Sequence, residues 1–142
     1  MNCHNVAQFK YLRHIIEQSF VDDTDINREL KNLFARTNLL LRRFSYCSLP
    51  VKLQLFKSYC VCFYDIALWS NFHACVLSKL PSAYVKCLKL FFGYSKYSSV
   101  TAMIMDLGLP SFVTVMHNAR IGFSKRLNCC SYAVVQAVLR VS

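Results

Sequence analysis

Apolar residues recur at helical spacing between Ile26 and Phe44, and this pattern constrains the fold more than any other feature of the chain. At about 100° per residue, the apolar positions fall on one stripe of a helix. The stripe consists of Ile26, Leu30, Leu33, Phe34, Thr37, Leu40, Leu41 and Phe44. The opposite face carries Arg28, Lys31, Arg36, Arg42 and Arg43, with Glu29 as the local counter-charge. The segment therefore predicts an amphipathic helix whose basic face either meets a polyanion or is simply solvated.

The central part of the chain predicts further helices. Three glycines and three prolines in 142 residues leave few turn signals, which favours helices over a sheet-rich fold. Ser48 precedes a helix that tolerates Pro50 in its first turn. Apolar residues surround this segment almost completely through Trp69, so we expect it to be the central, most buried element.

The second half of the chain predicts three more helical segments. The segment 76–92 has apolar and lysine positions on opposite sides, and Pro81 should break its first turn, so this helix begins near that residue. Ser111 is placed to cap a helix that runs to about Leu127. Residues beyond Tyr132 are expected to form a last short helix.

The N-terminal segment differs from the rest because its pattern alternates. Between Gln8 and Phe20 the apolar and polar positions alternate as in a strand or a small hairpin. The acidic run 22–25 that follows should supply N-cap oxygens for the first helix. The predicted fold is mainly α, with a short N-terminal β-strand or hairpin followed by a bundle of about four to five helices. We divide it into a strand segment (1–20), a helical domain (21–127) and a C-terminal tail (128–142).

The charge is strongly positive and unevenly placed. The formal net charge is +10 at pH 7, with three basic and five acidic side chains in residues 1–29 but fourteen basic and two acidic ones in residues 30–142. A positive field of this kind attracts polyanions, of which nucleic acid is the commonest, and anionic lipid is the competing partner.

Cysteine spacing and one apolar stretch exclude several other classes of protein. The eight cysteines include Cys60-x-Cys62, which lacks the two-residue gap of paired zinc ligands, so we expect buried thiols and no metal site. The start of the chain does not resemble a signal peptide, which favours the nucleus or cytoplasm over secretion. The stretch Leu53 to Leu77 is apolar, but Asp65 near its middle favours a buried helix over a membrane span.

Several short motifs, taken in order, resemble the end of the palm and the thumb region of non-LTR (LINE-type) retrotransposon reverse transcriptases. The run Lys10-Tyr11-Leu12-Arg13 resembles the Lys-Tyr-Leu-Gly segment that closes their palm and forms a primer-gripping hairpin. Later segments follow the order of their thumb: 25–30, 38–40, 43–44, 47–52, 55–60, 64–69, 80–84 and 117–120. Arg13 stands where the family has glycine, and Pro81 interrupts a segment that looks helical in relatives.

The resemblance implies a thumb-like fragment of an RNA-directed DNA polymerase that contacts an RNA–DNA hybrid through phosphates. The candidate nucleic-acid-binding residues are Lys10, Tyr11, Arg28, Lys31, Arg36, Arg42 and Arg43. Phosphate contacts of this kind hold position and carry no sequence code. Affinity is expected to fall steeply with salt.

The run Phe20-Val21-Asp22-Asp23 mimics the aromatic-x-Asp-Asp box of these polymerases, but its position argues against catalysis. The chemistry needs two divalent ions and a further upstream carboxylate, and residues 1–9 contain no acidic side chain. In the family the box precedes the Lys-Tyr-Leu-Gly segment, whereas here it follows. We therefore expect no polymerase activity from this chain, no catalytic residue, no cofactor and no small-molecule substrate.

Three alternatives remain open from the sequence. In the first alternative, the chain is a helical protein-interaction or structural module, and its 14% aromatic content fills a core or an interface. In the second alternative, the apolar helices adhere to a membrane. In the third, the chain is a translated remnant of a mobile element and has no activity.

Overall fold

The computed structural model describes residues 7–63 and 65–141, and these residues form a two-stranded hairpin followed by helices. Strand β1 (Gln8–Tyr11) pairs antiparallel with β2 (His14–Glu17). The helices are α1 (Asp23–Phe44), α2 (Leu49–Tyr59), α3 (Ala74–Leu77), α4 (Lys79–Phe92), α5 (Val100–Leu107), α6 (Phe112–Asn128) and α7 (Ala133–Val141), with a 3-10 turn at Ile66–Leu68 between α2 and α3. The predicted fold class, mainly helical with an N-terminal hairpin, is confirmed.

The turn between the two strands has an unusual backbone. Leu12 and Arg13 both adopt positive φ, at 47° and 72°. Two-residue hairpin turns of this kind match the twist of the strands and favour Asn-Gly, because a side chain strains the left-handed conformation. Arg13 therefore occupies a backbone position that suits glycine.

Helix α1 has the predicted apolar stripe. Ile26, Leu33 and Leu40 are buried, as is Thr37, whose hydroxyl donates to the Leu33 carbonyl oxygen at 2.8 Å. The remaining apolar positions of the stripe pack at the edge of the same core. Helix α1 contacts β2, α2, α3 and α4, so it links the hairpin to these helices.

The prediction that the acidic run caps α1 through its side chains is wrong in its geometry. Asp22 is the N-cap residue, but its side chain makes no capping hydrogen bond. Its Oδ2 instead accepts from the backbone N–H groups of Ser70 and Asn71, at 2.9 and 3.0 Å. Asp23 accepts from the backbone N–H of His73 at 2.9 Å. Loop amides compete successfully for these oxygens, so Asp22 and Asp23 attach the loop to the start of α1.

The second predicted helix is shorter and less buried than expected. It begins after Ser48, with proline in its first turn as predicted, but it ends at Tyr59. Among its described residues only Phe56 is buried. The apolar residues that follow lie in a loop that turns Phe63 and Trp69 into the core. Tyr64, which was part of the predicted helix, lies outside the described residues.

Helix α4 is more completely buried than α2. It buries Leu80, Ala83, Tyr84, Cys87, Leu88 and Phe91. Phe56 of α2 packs against this face, with its ring centroid 6.0 Å from that of Tyr84 and 6.1 Å from that of Phe91. The helix ends at Gly93, whose φ of +75° gives the left-handed C-cap that glycine adopts without strain.

Three boundary predictions for the last helices are confirmed. Pro81 lies in the first turn of α4, where a missing N–H costs no helical hydrogen bond. The Ser111 hydroxyl accepts from the Thr114 N–H at 3.3 Å and caps α6. Helix α7 follows Tyr132 as a short last helix.

The Tyr84 hydroxyl donates to the Pro110 carbonyl oxygen at 2.9 Å and joins α4 to the start of α6.

The described α-helices are 4 to 22 residues long. None of them is long and apolar enough to cross a bilayer by itself, whereas α5 and α6 together meet the length and composition required but are bent by 56° at the break between them.

Candidate nucleic-acid interface

The hairpin presents the first two predicted contacts to solvent. Every residue of β1 is exposed, including Lys10 and Tyr11, and the Tyr11 side chain is 61% exposed. The strand lies on the outside because β2 faces the helices, where the Ile15 N–H donates to Asp25 Oδ1 at 2.9 Å. Phe9, which sequence patterns did not single out, is 53% exposed on the same strand. An accessible cation and two accessible aromatic rings are the groups that grip a nucleic-acid strand by charge and stacking.

The outer face of α1 presents three of the five predicted cations. Lys31, Arg42 and Arg43 are exposed, and none of them forms an ion pair with an acidic side chain in residues 7–63 or 65–141. At 1.5 Å of rise per residue, Lys31 and Arg42 lie about 16 Å apart along the helix axis. This spacing allows one extended backbone to meet both ends of the face.

Arg28 is not a free surface cation, so its predicted place on the outer basic face is wrong. Its guanidinium lies 2.8 Å from Asp25 Oδ1, 2.8 Å from Glu29 Oε1 and 2.5 Å from Asp65 Oδ2. Burial alone would lower the pKa of Arg28, but the carboxylates raise it, with Asp25 contributing most. Three carboxylates therefore hold the Arg28 guanidinium. The helical pattern of α1 did not identify them as partners of Arg28.

Arg36 is also turned away from the exposed face. Its side chain is 19% exposed, and its Nη1 lies 3.9 Å from Glu29 Oε2, which is too long for a hydrogen bond. Both of these atoms are buried and lack a hydrogen-bond partner among the described residues. Helix α1 thus directs Arg28 and Arg36 towards carboxylates of the fold, and its exposed cations are Lys31, Arg42 and Arg43.

A polar cluster joins the hairpin to the helical body. We define the hairpin cluster as His14, Asp25, Arg28, Glu29 and Asp65. His14 Nδ1 lies 3.0 Å from Asp25 Oδ2 and 3.6 Å from Asp65 Oδ2. Asp25 Oδ2 also accepts from the Trp69 indole N–H at 2.9 Å. One fully buried carboxylate therefore contacts β2, α1 and the loop before α3.

The two aspartates of the hairpin cluster have pKa values shifted in opposite directions. Burial raises the pKa of Asp25, but hydrogen bonds from Arg28, Trp69 and the Ile15 backbone outweigh it, so the net shift is downward. Burial raises the pKa of Asp65, and the nearby Asp25 charge raises it further against the opposing effect of Arg28. The cluster favours the charged form of Asp25 and disfavours that of Asp65.

His14, Asp25 and Asp65 also have the composition of a cation site. Their nitrogen and carboxylate oxygen atoms lie within 4.8 Å of one another. The Arg28 guanidinium already contacts both carboxylates, however, so the position of a positive charge between them is filled by a side chain. The geometry supports a structural ion network.

The catalytic-looking aspartates are likewise used within the fold. Besides its bond to the His73 backbone, Asp23 Oδ2 lies 2.5 Å from His73 Nδ1. The hydrogen bond from the His73 backbone is the main cause that lowers the pKa of Asp23. The sequence gives no local signal for these contacts, because the partners of Asp22 and Asp23 lie 48 to 50 residues away.

Comparison of the chain with protein-family models, with curated proteins and with solved structures gave no match.

Proposed function

We propose that this chain is a thumb-like fragment of a non-LTR retrotransposon reverse transcriptase that contacts the phosphates of an RNA–DNA hybrid. By itself it is not a polymerase, because it lacks the catalytic aspartates of such an enzyme. The observation that carries the proposal is the exposed hairpin with Lys10 and Tyr11, beside a helix whose Lys31, Arg42 and Arg43 lack acidic partners among the described residues.

The hairpin turn supports the resemblance on which the proposal rests. In the Lys-Tyr-Leu-Gly segment the glycine corresponds to Arg13, and Arg13 has a φ of 72°. Glycine adopts this conformation without strain, so a glycine in relatives is explained by the same turn. The turn therefore accounts for the family glycine, and Arg13 departs from it at the cost of a strained backbone.

The contacts of the acidic run support the absence of catalysis. Asp22 and Asp23 both accept backbone hydrogen bonds from the loop at residues 70–73. Carboxylates that hold catalytic metals must direct their oxygens at the ions, which in turn bind the reacting phosphate. These two direct theirs at loop amides.

The proposal assigns different roles to the seven candidate residues. Lys10, Lys31, Arg42 and Arg43 contact phosphates, and Tyr11 stacks or presses on a strand. Arg28 and Arg36 act indirectly, since their guanidinium groups lie near carboxylates of the fold and not on the exposed face of α1. This division is testable because only the first group should affect the salt dependence of binding.

The test is fluorescence anisotropy of a labelled RNA–DNA hybrid over a range of salt concentrations. Affinity should fall with a log–log slope of roughly −0.9 per phosphate contacted. Charge reversal of Lys31, Arg42 and Arg43 to glutamate should make that slope shallower by roughly 2 to 3. Tyr11→Ala should weaken binding about fivefold or more without changing the slope, because stacking is not an ionic contact.

A matched control distinguishes binding at the proposed interface from a general effect of the net positive charge on binding. The triple reversal of Lys57, Lys125 and Arg126 changes the net charge equally at exposed positions outside the proposed interface. It should leave most of the slope intact. Equal effects of the two triple variants, or binding by the wild type that does not respond to salt, would refute the proposal.

A helical interaction module is the second candidate function. Exposed apolar side chains on the late helices favour it, since Met105 and Val113 are 77% and 70% exposed. Such a module would form a dimer or a complex that ignores polyanions, which light scattering after size-exclusion chromatography measures directly. Hybrid binding with the slope above would reject it as the main function.

A further inference from the structure

An open groove lies between α4 and the segment at residues 94–100, away from the hairpin cluster. Its volume is about 670 Å³. Its apolar lining comes from Val85 and Leu90 of α4 and from Tyr94 and Val100 on the facing side. Leu90 is 49% exposed, so this surface remains open after the fold has formed.

The charged side chains that line the groove are all cations. Lys86, Lys89 and Lys96 line it, and no acidic residue does so in the described part of the chain. The two walls each contribute, because Lys86 and Lys89 lie on α4 while Lys96 lies in the facing segment. One anionic group placed in the groove would therefore meet positive charge from both sides.

Lys89 is held in place more firmly than a surface lysine. Its Nζ donates to the carbonyl oxygens of Lys96 at 2.8 Å and Ser98 at 2.9 Å. These bonds close the facing segment onto α4 and fix the ammonium at the groove. An ammonium has three N–H donors, so one remains for a ligand.

Size and chemistry together limit the kind of ligand. Small-molecule sites are commonly apolar clefts of about 300–1,000 Å³ with a few placed polar groups. A purely ionic partner such as a phosphate backbone would use the lysines but leave Leu90 and Val100 exposed. A neutral apolar partner would bury the lining but leave the lysines without counter-charge. A molecule with an apolar chain and an anionic head uses both parts of the groove.

We propose that this groove binds a free long-chain carboxylate, with its acyl chain along Val85, Leu90 and Val100 and its head at the lysines. The proposal is independent of nucleic-acid binding and departs from the expectation that the chain has no small-molecule ligand. The carboxylate accepts hydrogen bonds from Lys89 and from one of the two more exposed lysines. No covalent step is involved.

The test is isothermal titration calorimetry with decanoate, dodecanoate and tetradecanoate, each kept below its micelle concentration. The dissociation constant should fall with chain length, by up to roughly fifteenfold for two fully buried methylene groups. The methyl ester of dodecanoate lacks the charge and should bind about tenfold more weakly. The binding should saturate at one site per chain.

Groove variants and matched controls identify the site. Leu90→Glu places a negative charge in the apolar lining and should weaken dodecanoate binding at least tenfold. The double variant Lys86→Glu, Lys96→Glu should act similarly through the head group. Met105→Glu and the double variant Lys57→Glu, Lys125→Glu make the same charge changes at exposed positions that do not line the groove, and they should leave affinity within twofold. Circular dichroism confirms that each variant folds.

Every other outcome counts against the proposal. Equal loss of affinity in the groove and control variants would show non-specific binding of an anionic amphiphile to a basic protein. If an oligonucleotide displaced dodecanoate, and the same groove variants abolished binding of the oligonucleotide, the groove would be reassigned to nucleic acid. Binding to phosphatidylglycerol vesicles without binding to free dodecanoate would reassign it to a membrane surface. An absence of binding by the folded wild type would overturn the proposal directly.

Discussion

Replacing Asp25 by asparagine should destabilise the protein far more than the same change at Asp65. Both residues are buried aspartates of the hairpin cluster and both contact Arg28. Their surroundings differ, because Asp25 also accepts hydrogen bonds from the Ile15 N–H and the Trp69 indole. Neutralising Asp25 therefore removes a charge that the fold favours, whereas neutralising Asp65 removes one that it disfavours.

The magnitude follows from these contacts. An asparagine at position 25 offers one acceptor oxygen in place of two, so at least one donor from Ile15, Arg28 or Trp69 is left unpaired. Hydrogen bonds to a charged group contribute about 1.5–3 kcal/mol each, and breaking a buried ion pair costs about 3–5 kcal/mol. We expect Asp25→Asn to lower the free energy of unfolding by about 3 kcal/mol. Asp65→Asn keeps an acceptor for Arg28 and should cost about 1 kcal/mol or less.

Urea denaturation followed by circular dichroism measures this difference. With a denaturant slope of about 1–3 kcal/mol/M, Asp25→Asn should lower the midpoint by roughly 1–3 M. Asp106→Asn is the matched control, because Asp106 is exposed and should leave the midpoint unchanged within error. All three substitutions are of the same type, so the effect of position is isolated.

The pH dependence of these variants has a definite sign. The pKa of Asp25 is lowered in the folded state, so its contribution to stability is present above the unfolded value of about 4 and is lost as the pH falls below it. The gap between wild type and Asp25→Asn should thus narrow below about pH 4. The pKa of Asp65 is raised in the folded state. The contribution of Asp65 to stability therefore becomes less favourable as the pH rises from about 4, its unfolded pKa, through its folded pKa. Equal destabilisation by the two variants at pH 7, or a gap that widens in acid, would refute the reasoning.

Three further predictions concern the turn, the core and the thiols. Arg13→Gly should raise the free energy of unfolding by about 1 kcal/mol in urea denaturation, because glycine relieves the strain of a positive φ; a loss of stability would contradict the turn geometry. Tyr84→Phe should cost about 1 kcal/mol in the same assay, since the Pro110 carbonyl loses its donor; an unchanged midpoint would show that the bond is dispensable. Exposed Cys75 should react at once with a thiol reagent at pH 8. Cys60 is buried and has its pKa raised to about 11, so it should react only when the protein unfolds. Peptide mapping that finds Cys60 labelled before Cys75 would contradict this prediction.

The apolar stripe of α1, the start of α2 near Pro50 and the capping of α6 by Ser111 were predictable because they depend on local chemistry. A helical period and a capping hydroxyl act within a few residues, so the sequence records them directly. The length of α2 was not predictable in this way. A continuous apolar run is compatible with one long helix or with a short helix and a buried loop, and only the packing of residues such as Trp69 decides between them.

The candidate interface was predictable only in part for the same physical reason. Helical spacing places Lys31 and Arg42 on an outer face, and they are exposed there. The same spacing placed Arg28 on that face, but an ion pair with Asp65, 37 residues away, turns its side chain inward. Long-range partners of this kind leave no periodic trace, so Asp65 looked only like a charge within an apolar segment. The groove at Lys89 was missed because its two walls come from separate elements.

The hairpin cluster has a mechanical consequence. The hairpin has no third strand beside it in the described residues, and polar contacts attach β2 to α1: the Thr24 hydroxyl donates to the Glu17 carboxylate, and the Ile15 N–H donates to the carboxylate of Asp25. That carboxylate also contacts α1 and the loop at Trp69. A force applied at the tip of the hairpin, around Tyr11, would therefore reach α1 through these hydrogen bonds.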